Sequence, residues 1–207
     1  MSPKPDAREQ PVRGRRIAAA LCLFLLTACS RSGSSGWKLT DIRGHLPDLA
    51  FHLSAAGGVP VTARQYRGKV VLLFFGFTHC PDTCPETLAR LAAALRQLGP
   101  EAREFRILFV SVDPRRDTPE ATERFARAFS PQAVGLTGTP DQIEAMAKRY
   151  RVAYEAQAPD RAGDYEVMHS KGVYIFDRAG RARLLDSDTD PVAALVRDLK
   201  QLAAAPS

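Results

Sequence analysis

Residues 69–98 read KVVLLFFGFTHCPDTCPETLARLAAALRQL, and three patterns follow one another within them. Lys69–Phe75 is a continuous apolar run rich in Val and Phe, the pattern of a strand buried on both faces. From Pro85 to Leu98, the residues Leu88, Leu91, Ala92, Leu95 and Leu98 fall on one face of a helix. Between the two, Phe77–Pro85 (FTHCPDTCP) sets Cys80 and Cys84 at a strand-to-helix junction. In open α/β sheets functional groups gather at such strand ends.

Working outward, Phe105–Val112 (FRILFVSV) reads as a second buried strand. Asp117-Thr118-Pro119-Glu120 reads as a helix start: Asp or Thr caps, Pro sits in the first turn, and Glu stands where a capping box needs it. That helix is expected over Pro119–Phe129. Ala133–Leu136 is a short strand, and Thr139-Pro140-Asp141-Gln142 opens a helix to about Tyr150. Gly172–Asp177 and Ala182–Asp186 flank a Gly-containing turn at residues 178–181, a hairpin, and Asp190-Pro191 caps a last helix to about Ala203. Upstream, short strands are expected around Phe51–Leu53 and Val59–Thr62, joined through Gly57-Gly58. Alternating elements followed by an antiparallel pair imply an α/β protein with a mixed central sheet flanked by helices on both faces. The thioredoxin fold has this order of elements.

The N-terminal region has a different character. Arg13, Arg15 and Arg16 precede the apolar run Ile17–Ala28, which has the length of a signal-peptide core rather than of a membrane span. The run ends Leu26-Thr27-Ala28-Cys29, which resembles a bacterial lipobox: an aliphatic residue, two small residues, then the lipidated Cys. Residues 1–28 are therefore expected to be a lipoprotein signal peptide. Residues 29–40 are expected to be the lipidated Cys29 and a flexible tether, since Ser30–Gly36 reads SRSGSSG. Residues 41–207 are left as one folded domain outside the cytoplasm. With Cys22 removed and Cys29 lipidated, Cys80 and Cys84 remain as the thiols of the mature chain.

Bulk composition agrees with one ordinary globular domain plus an appendage: 207 residues, 45% apolar and 25% charged. The net charge of +6 includes an excess of Arg and Lys in the leader, and no Lys/Arg stripe follows. Nucleic-acid binding gains no support from it.

A helix start presents free N–H groups and the positive end of the helix dipole, so the Cys loop is expected to favour thiolate over thiol. If the turn is helical, Cys80 and Cys84 are i and i+4, with Cα atoms roughly 6 Å apart. That spacing allows a disulfide or the chelation of one metal ion. The third candidate is His169, in Tyr165-Glu166-Val167-Met168-His169-Ser170, just before the strand at Gly172–Asp177. In a thioredoxin fold that loop faces the Cys loop. Thioredoxin-like reductases carry a cis-proline there, and this chain has Met168-His169 with no proline nearby. Two thiolates and an imidazole suit copper, sulfur holding Cu(I) and imidazole also accepting Cu(II). Structural zinc wants four ligands, and only three converge; His79, adjacent to Cys80, would strain the turn. Met168 is expected to pack beside the core strand, with its thioether a weak potential ligand. Asp82 and Asp113-Pro114-Arg115-Arg116-Asp117 are expected at the same end of the sheet, as turn residues or partner contacts.

The run Phe75–Pro85 resembles the metal loop of the Sco/SenC family of copper proteins, which serve the assembly of cytochrome c oxidase. Ser111–Pro119 (SVDPRRDTP) is similar to the family's second signature, and His169-Ser170 before a Tyr-containing strand to its third. The likeness extends from about Phe51 to the last helix, with the motifs in order. The resemblance implies thiolate ligands at Cys80 and Cys84, an imidazole ligand at His169, and a thioredoxin-like fold tethered to a membrane and facing the periplasm or cell exterior. It implies copper, as Cu(I) or Cu(II), and docking with the copper-bearing subunit of cytochrome c oxidase. In one departure, many members carry Asp just before the His, where this chain has Met168.

Two functions from different classes fit this reading. A metallochaperone binds copper and passes it on by ligand exchange, without turnover. A thiol–disulfide oxidoreductase uses one Cys of the pair to attack a disulfide and the other to resolve it, the oxidase's copper-ligand cysteines being a candidate substrate. A thiol peroxidase or redox sensor is a weaker third. His169 separates the first two, since disulfide chemistry does not require it.

Overall fold

The computed structural model of the protein describes residues 36–161 and 164–205, together with Met1. The expected leader, the expected lipidation site Cys29 and most of the tether lie outside the described residues. Trp37–Ser207 is one compact unit. Among the described residues no helix is long and apolar enough to cross a membrane.

The run at 69–75 becomes strand β4, Val70–Gly76, and every one of its residues is buried. It lies at the middle of a six-stranded sheet. On one side it pairs in parallel with β5 (Phe105–Ser111), and β5 in parallel with β6 (Ala133–Leu136). On its other side it pairs antiparallel with β9 (Val173–Phe176), followed by β10 (Ala182–Asp186) and the two-residue β1 (Thr40–Asp41). The parallel half joined to an antiparallel hairpin makes this the mixed sheet of a thioredoxin-like fold. A strand buried along its whole length has both faces covered, which is why β4 reads as an uninterrupted apolar run. Each of its Phe or Leu side chains contributes about 1.5–3 kcal/mol by leaving water.

Helix α1 (Thr83–Gln97) buries Leu88, Leu91 and Leu95 and packs against the last helix, α4 (Val192–Ala204). Gly99, at φ +59°, follows its C-terminus and turns the chain in a conformation few side chains accept. Helix α2 (Pro119–Arg127) packs on β5 and β6, and helix α3 (Pro140–Tyr150) follows β6. The capping box expected at Thr139 is present: Gln142 N–H donates to Thr139 Oγ1 at 3.3 Å, and Thr139 N–H donates to Gln142 Oε1 at 2.8 Å. At α2 the expectation needs correction. Thr118 is the cap, which leaves Glu120 one position short of a capping box, and its carboxylate accepts from Gly57 N–H at 2.9 Å instead. Asp190 does not cap α4 with its side chain; it accepts from Ser187, and Pro191 holds the cap position.

Two small ribbons complete the fold. One pairs β2 (His52–Ala55) with β3 (Val59–Thr62), near the expected positions. The other pairs β7 (Tyr154–Ala156) with β8 (Val167–His169) and was not expected from the sequence. Strands of three residues carry too few side chains to show a period of two.

Candidate metal centre

Topology brings the site together. Strand β4 ends at Gly76 and hands the chain to the Cys loop. Strand β9 runs antiparallel to it, with Phe74 opposite Val173, so the segment entering β9 arrives at the end from which the Cys loop leaves. His169 therefore meets Cys80 and Cys84 although 85 residues separate it from Cys84. One ligand atom from each of the three lies within 4.8 Å of the others. It is the one such cluster of His, Cys, Asp and Glu among the described residues.

Cys80 precedes the helix. Its N–H donates to Phe77 O at 3.3 Å, and its sulfur accepts the N–H of Cys84 at 3.3 Å. The Cys80 sulfur thus stands where a capping oxygen would, because Asp82 at the cap position makes no side-chain cap. The two residues are not i and i+4 of one helix; a tight turn followed by the helix start brings the sulfurs together. Both are free thiols, Cys80 partly exposed and Cys84 fully buried.

Burial also overturns the expected thiolate preference at Cys84. Desolvation pushes its thiol well above the ordinary range, and the nearby Cys80 and Asp117 add to the rise. The helix start is present, but a fully buried sulfur next to an acidic group does not hold a free negative charge. The thiol finds an acceptor instead: Cys84 Sγ lies 3.4 Å from His169 Nε2. The other ring nitrogen, Nδ1, lies 3.0 Å from the Ser170 carbonyl oxygen, which fixes the proton on Nδ1 and leaves Nε2 with its lone pair towards the sulfurs. Burial lowers the His169 pKa, and the ring is held edge-on to Phe74 and Phe77 with centroids 6.0 and 5.9 Å away. The imidazole is neutral at pH 7, the form that binds metal.

Metal–ligand bonds of about 2.0–2.3 Å in a trigonal arrangement hold donor atoms roughly 3.5–4 Å apart. The three donors need to close by less than an ångström or so to share one ion. Two sulfurs and one nitrogen fit a soft or borderline metal, and copper best. His79 stays outside the cluster, its Nδ1 3.5 Å from Asp117 Oδ1. His169 closes strand β8 rather than standing in a loop, paired with Tyr154. Met168, expected to pack, is instead 61% exposed.

Gly76 escaped the sequence reading, and Asp117 and Asp113 do more than the capping and turn roles expected of them. Gly76 gives Cys84 its room: a Cβ there would lie 2.6 Å from Cys84 Sγ and 2.7 Å from the Phe109 ring. Its one legible signal was a glycine ending an otherwise bulky strand. Asp117 turns inward, fully buried, and accepts from Thr78 N–H at 2.8 Å and from the hydroxyls of Thr78 and Ser111 at 2.5 Å. It ties the Cys loop to the end of β5. Asp113 accepts from the Tyr165 hydroxyl at 2.8 Å and from Arg116 Nε at 2.5 Å, and the Arg116 guanidinium stacks 3.6 Å over the Tyr165 ring. That lock holds the segment leading into β8, and with it His169, against the loop after β5.

The SCO1/SenC family pattern matches residues 43–204. The chain is 43% identical over 137 residues to the mitochondrial "Protein SCO2 homolog" of Bos taurus, a match covering 62% of this chain and 52% of that protein. It thus spans about half the length of the curated relatives it matches. Among solved structures, Bradyrhizobium japonicum ScoI with copper bound aligns at a TM-score of 0.68 and 35% identity, over 75% of this chain and 99% of that one. The apo Sco1 protein from Thermus thermophilus aligns at 0.71 and 37%, over 81% and 99%.

Proposed function

The chain belongs to the SCO1/SenC family, and on that footing we propose that it is a copper-binding metallochaperone for the copper centre of cytochrome c oxidase. Cys80 and Cys84 bind the metal as thiolates and His169 as a neutral imidazole. The observation that carries this reading is the convergence of the three donor atoms within 4.8 Å, with His169 Nε2 presented lone pair first. The likeness to a ScoI structure with copper bound supports the choice of metal. The protein acts by ligand exchange with the copper-bearing oxidase subunit. The lipobox-like Leu26–Cys29 supports a lipid anchor at Cys29 that places the domain at a membrane surface, facing the periplasm or cell exterior.

A thiol–disulfide oxidoreductase is the second reading, favoured by the asymmetry of the pair. Cys80 is accessible, whereas Cys84 is fully buried with its thiol against His169 Nε2. Cys80 attacks a partner disulfide and expels one partner thiolate. Cys84 then passes its proton to His169 and attacks Cys80, forming the Cys80–Cys84 disulfide and releasing the second partner thiol. The two electrons move from this chain to the partner.

The test is a Cu(II) and Cu(I) titration of the wild-type chain and of His169→Ala. Loss of a ligand exceeds the 10–100-fold typical of removing a ligand's supporting partner, so Cu(II) affinity is expected to fall by more than about 100-fold. Cys80–Cys84 oxidation remains possible in the same variant. Unchanged Cu(II) affinity would remove His169 from the ligand set and leave the dithiol exchanger as the better description.

A further inference from the structure

Copper reaching this centre from outside does not meet its ligands together. Cys84 has no exposed surface, and His169 is partly buried, its ring edge-on to Phe74 and Phe77. Cys80 is the accessible sulfur. The cavity of about 340 Å³ over the site is lined by Cys80 and His169 and also by Met168, whose side chain stands 61% exposed. Apart from Met1 and Val59, Met168 is the only exposed large apolar side chain among the described residues. Strand β8 explains its placement: Val167 is buried, Met168 stands out on the opposite side, and His169 turns in. Asp82 and Glu166 line the same cavity against Lys171, so its rim is net negative and attracts a cation.

We propose that Met168 is the landing ligand for Cu(I), a thioether at the mouth of the cavity that takes the ion first and passes it to Cys80 and then Cys84. This deepens the metallochaperone reading and rests on it. The chemistry suits the position. A thioether is uncharged and binds without losing a proton, whereas both cysteine thiols must release one each as they take the metal. A thioether is also soft, favouring Cu(I) over Cu(II). The exchange is stepwise. The donor's ligand leaves as the Met168 thioether binds, Cys80 joins and releases its proton to solvent, and Cys84, releasing its proton to solvent in turn, and His169 then displace Met168. Copper stays Cu(I) throughout, so no electron donor is needed. Release to a recipient runs the same steps in reverse.

Met168→Leu tests this, since it keeps the apolar shape and removes the sulfur. Cu(I) is supplied anaerobically as its bicinchoninate complex to the 207-residue chain, and transfer is followed by stopped-flow absorbance in both directions. Loading and unloading are expected to slow about tenfold, with the ratio of the two rates moving less than threefold. Cu(II) uptake by the same variant is expected at the wild-type rate. Unchanged Cu(I) rates overturn the proposal while leaving the metallochaperone reading intact. Equal slowing of Cu(I) and Cu(II) also overturns it, because Met168 then governs access rather than binding. A wild-type chain that takes up no copper overturns both.

Discussion

The Tyr165 hydroxyl donates to Asp113 at 2.8 Å, and through this contact the segment that carries His169 is fastened to the loop that follows β5. Strand β8 makes its ladder with β7 and not with the central sheet. The position of His169 relative to the cysteines therefore depends on side-chain contacts, among them Tyr165 with Asp113 and Arg116. Tyr165→Phe keeps the ring under the guanidinium and removes the hydroxyl. A hydrogen bond to a charged acceptor contributes about 1.5–3 kcal/mol, with Arg116 still satisfying part of Asp113. The expected outcome is a loss of about 1 kcal/mol in denaturant unfolding, and weaker Cu(II) binding with Cu(I) binding less affected. Equal losses for both oxidation states would place the effect on the cysteines instead.

Gly76→Ala tests the space behind Cys84. The added methyl would lie 2.6 Å from Cys84 Sγ and 2.7 Å from Phe109, closer than carbon approaches either atom. Overpacking of this kind costs about 1–3 kcal/mol. The variant is expected to unfold at lower denaturant and to bind copper more weakly, since the displaced atom is a proposed donor. Wild-type copper affinity in a destabilised Gly76→Ala protein would show that Phe109 yields and Cys84 does not.

Asp117→Asn removes one charge from a fully buried carboxylate that accepts three hydrogen bonds. Weakening a buried, charge-assisted cluster costs about 1–3 kcal/mol. Because Thr78 is two residues before Cys80, faster hydrogen exchange at the Thr78 amide is expected along with the loss of stability. Exchange as slow as in wild type would mean that the Cys loop is held by other contacts.

The pKa values of His169 and Cys84 are displaced in opposite directions, and each has its own pH signature. His169 is lowered by burial, so between its folded value and the unfolded value near 6.5 the unfolded chain binds more protons. Metal-free protein is thus expected to keep this contribution above about pH 6.5 and to lose it as pH falls through that window. His169→Gln should flatten that part of the stability curve in unfolding experiments from pH 4 to pH 8. A curve of wild-type slope would assign the loss to other groups.

Cys84 is raised by burial and is a thiol at neutral pH. Copper bound by this sulfur, as proposed, must displace its proton, so apparent affinity is expected to rise about tenfold per pH unit for each proton released. Calorimetric titration in buffers of different ionisation enthalpy counts those protons. A count of zero would mean that the Cys84 sulfur does not bind the metal.

Much of this protein was legible along the chain. The run at 70–75, the helical spacing of Leu88, Leu91 and Leu95, and the Thr139–Gln142 capping box are local patterns, and local patterns survive folding when the elements are long enough to repeat. Cys80, Cys84 and His169 were identified as candidates because the order of elements already placed their segments at one end of a sheet. The ribbon at 154–156 and 167–169 left no trace, being too short for a period to show.

Residue type and order alone decided the α/β class, the strand-to-helix Cys junction and the family. What tertiary structure decided was the state of each group: Cys84 is a buried thiol, Asp117 points inward, Gly76 makes room for a sulfur and Met168 stands in the open. Periodicity is carried by neighbours in the chain, so sequence reports it. Desolvation and close contact are set by atoms dozens of residues away, and only the packed fold brings those atoms to bear.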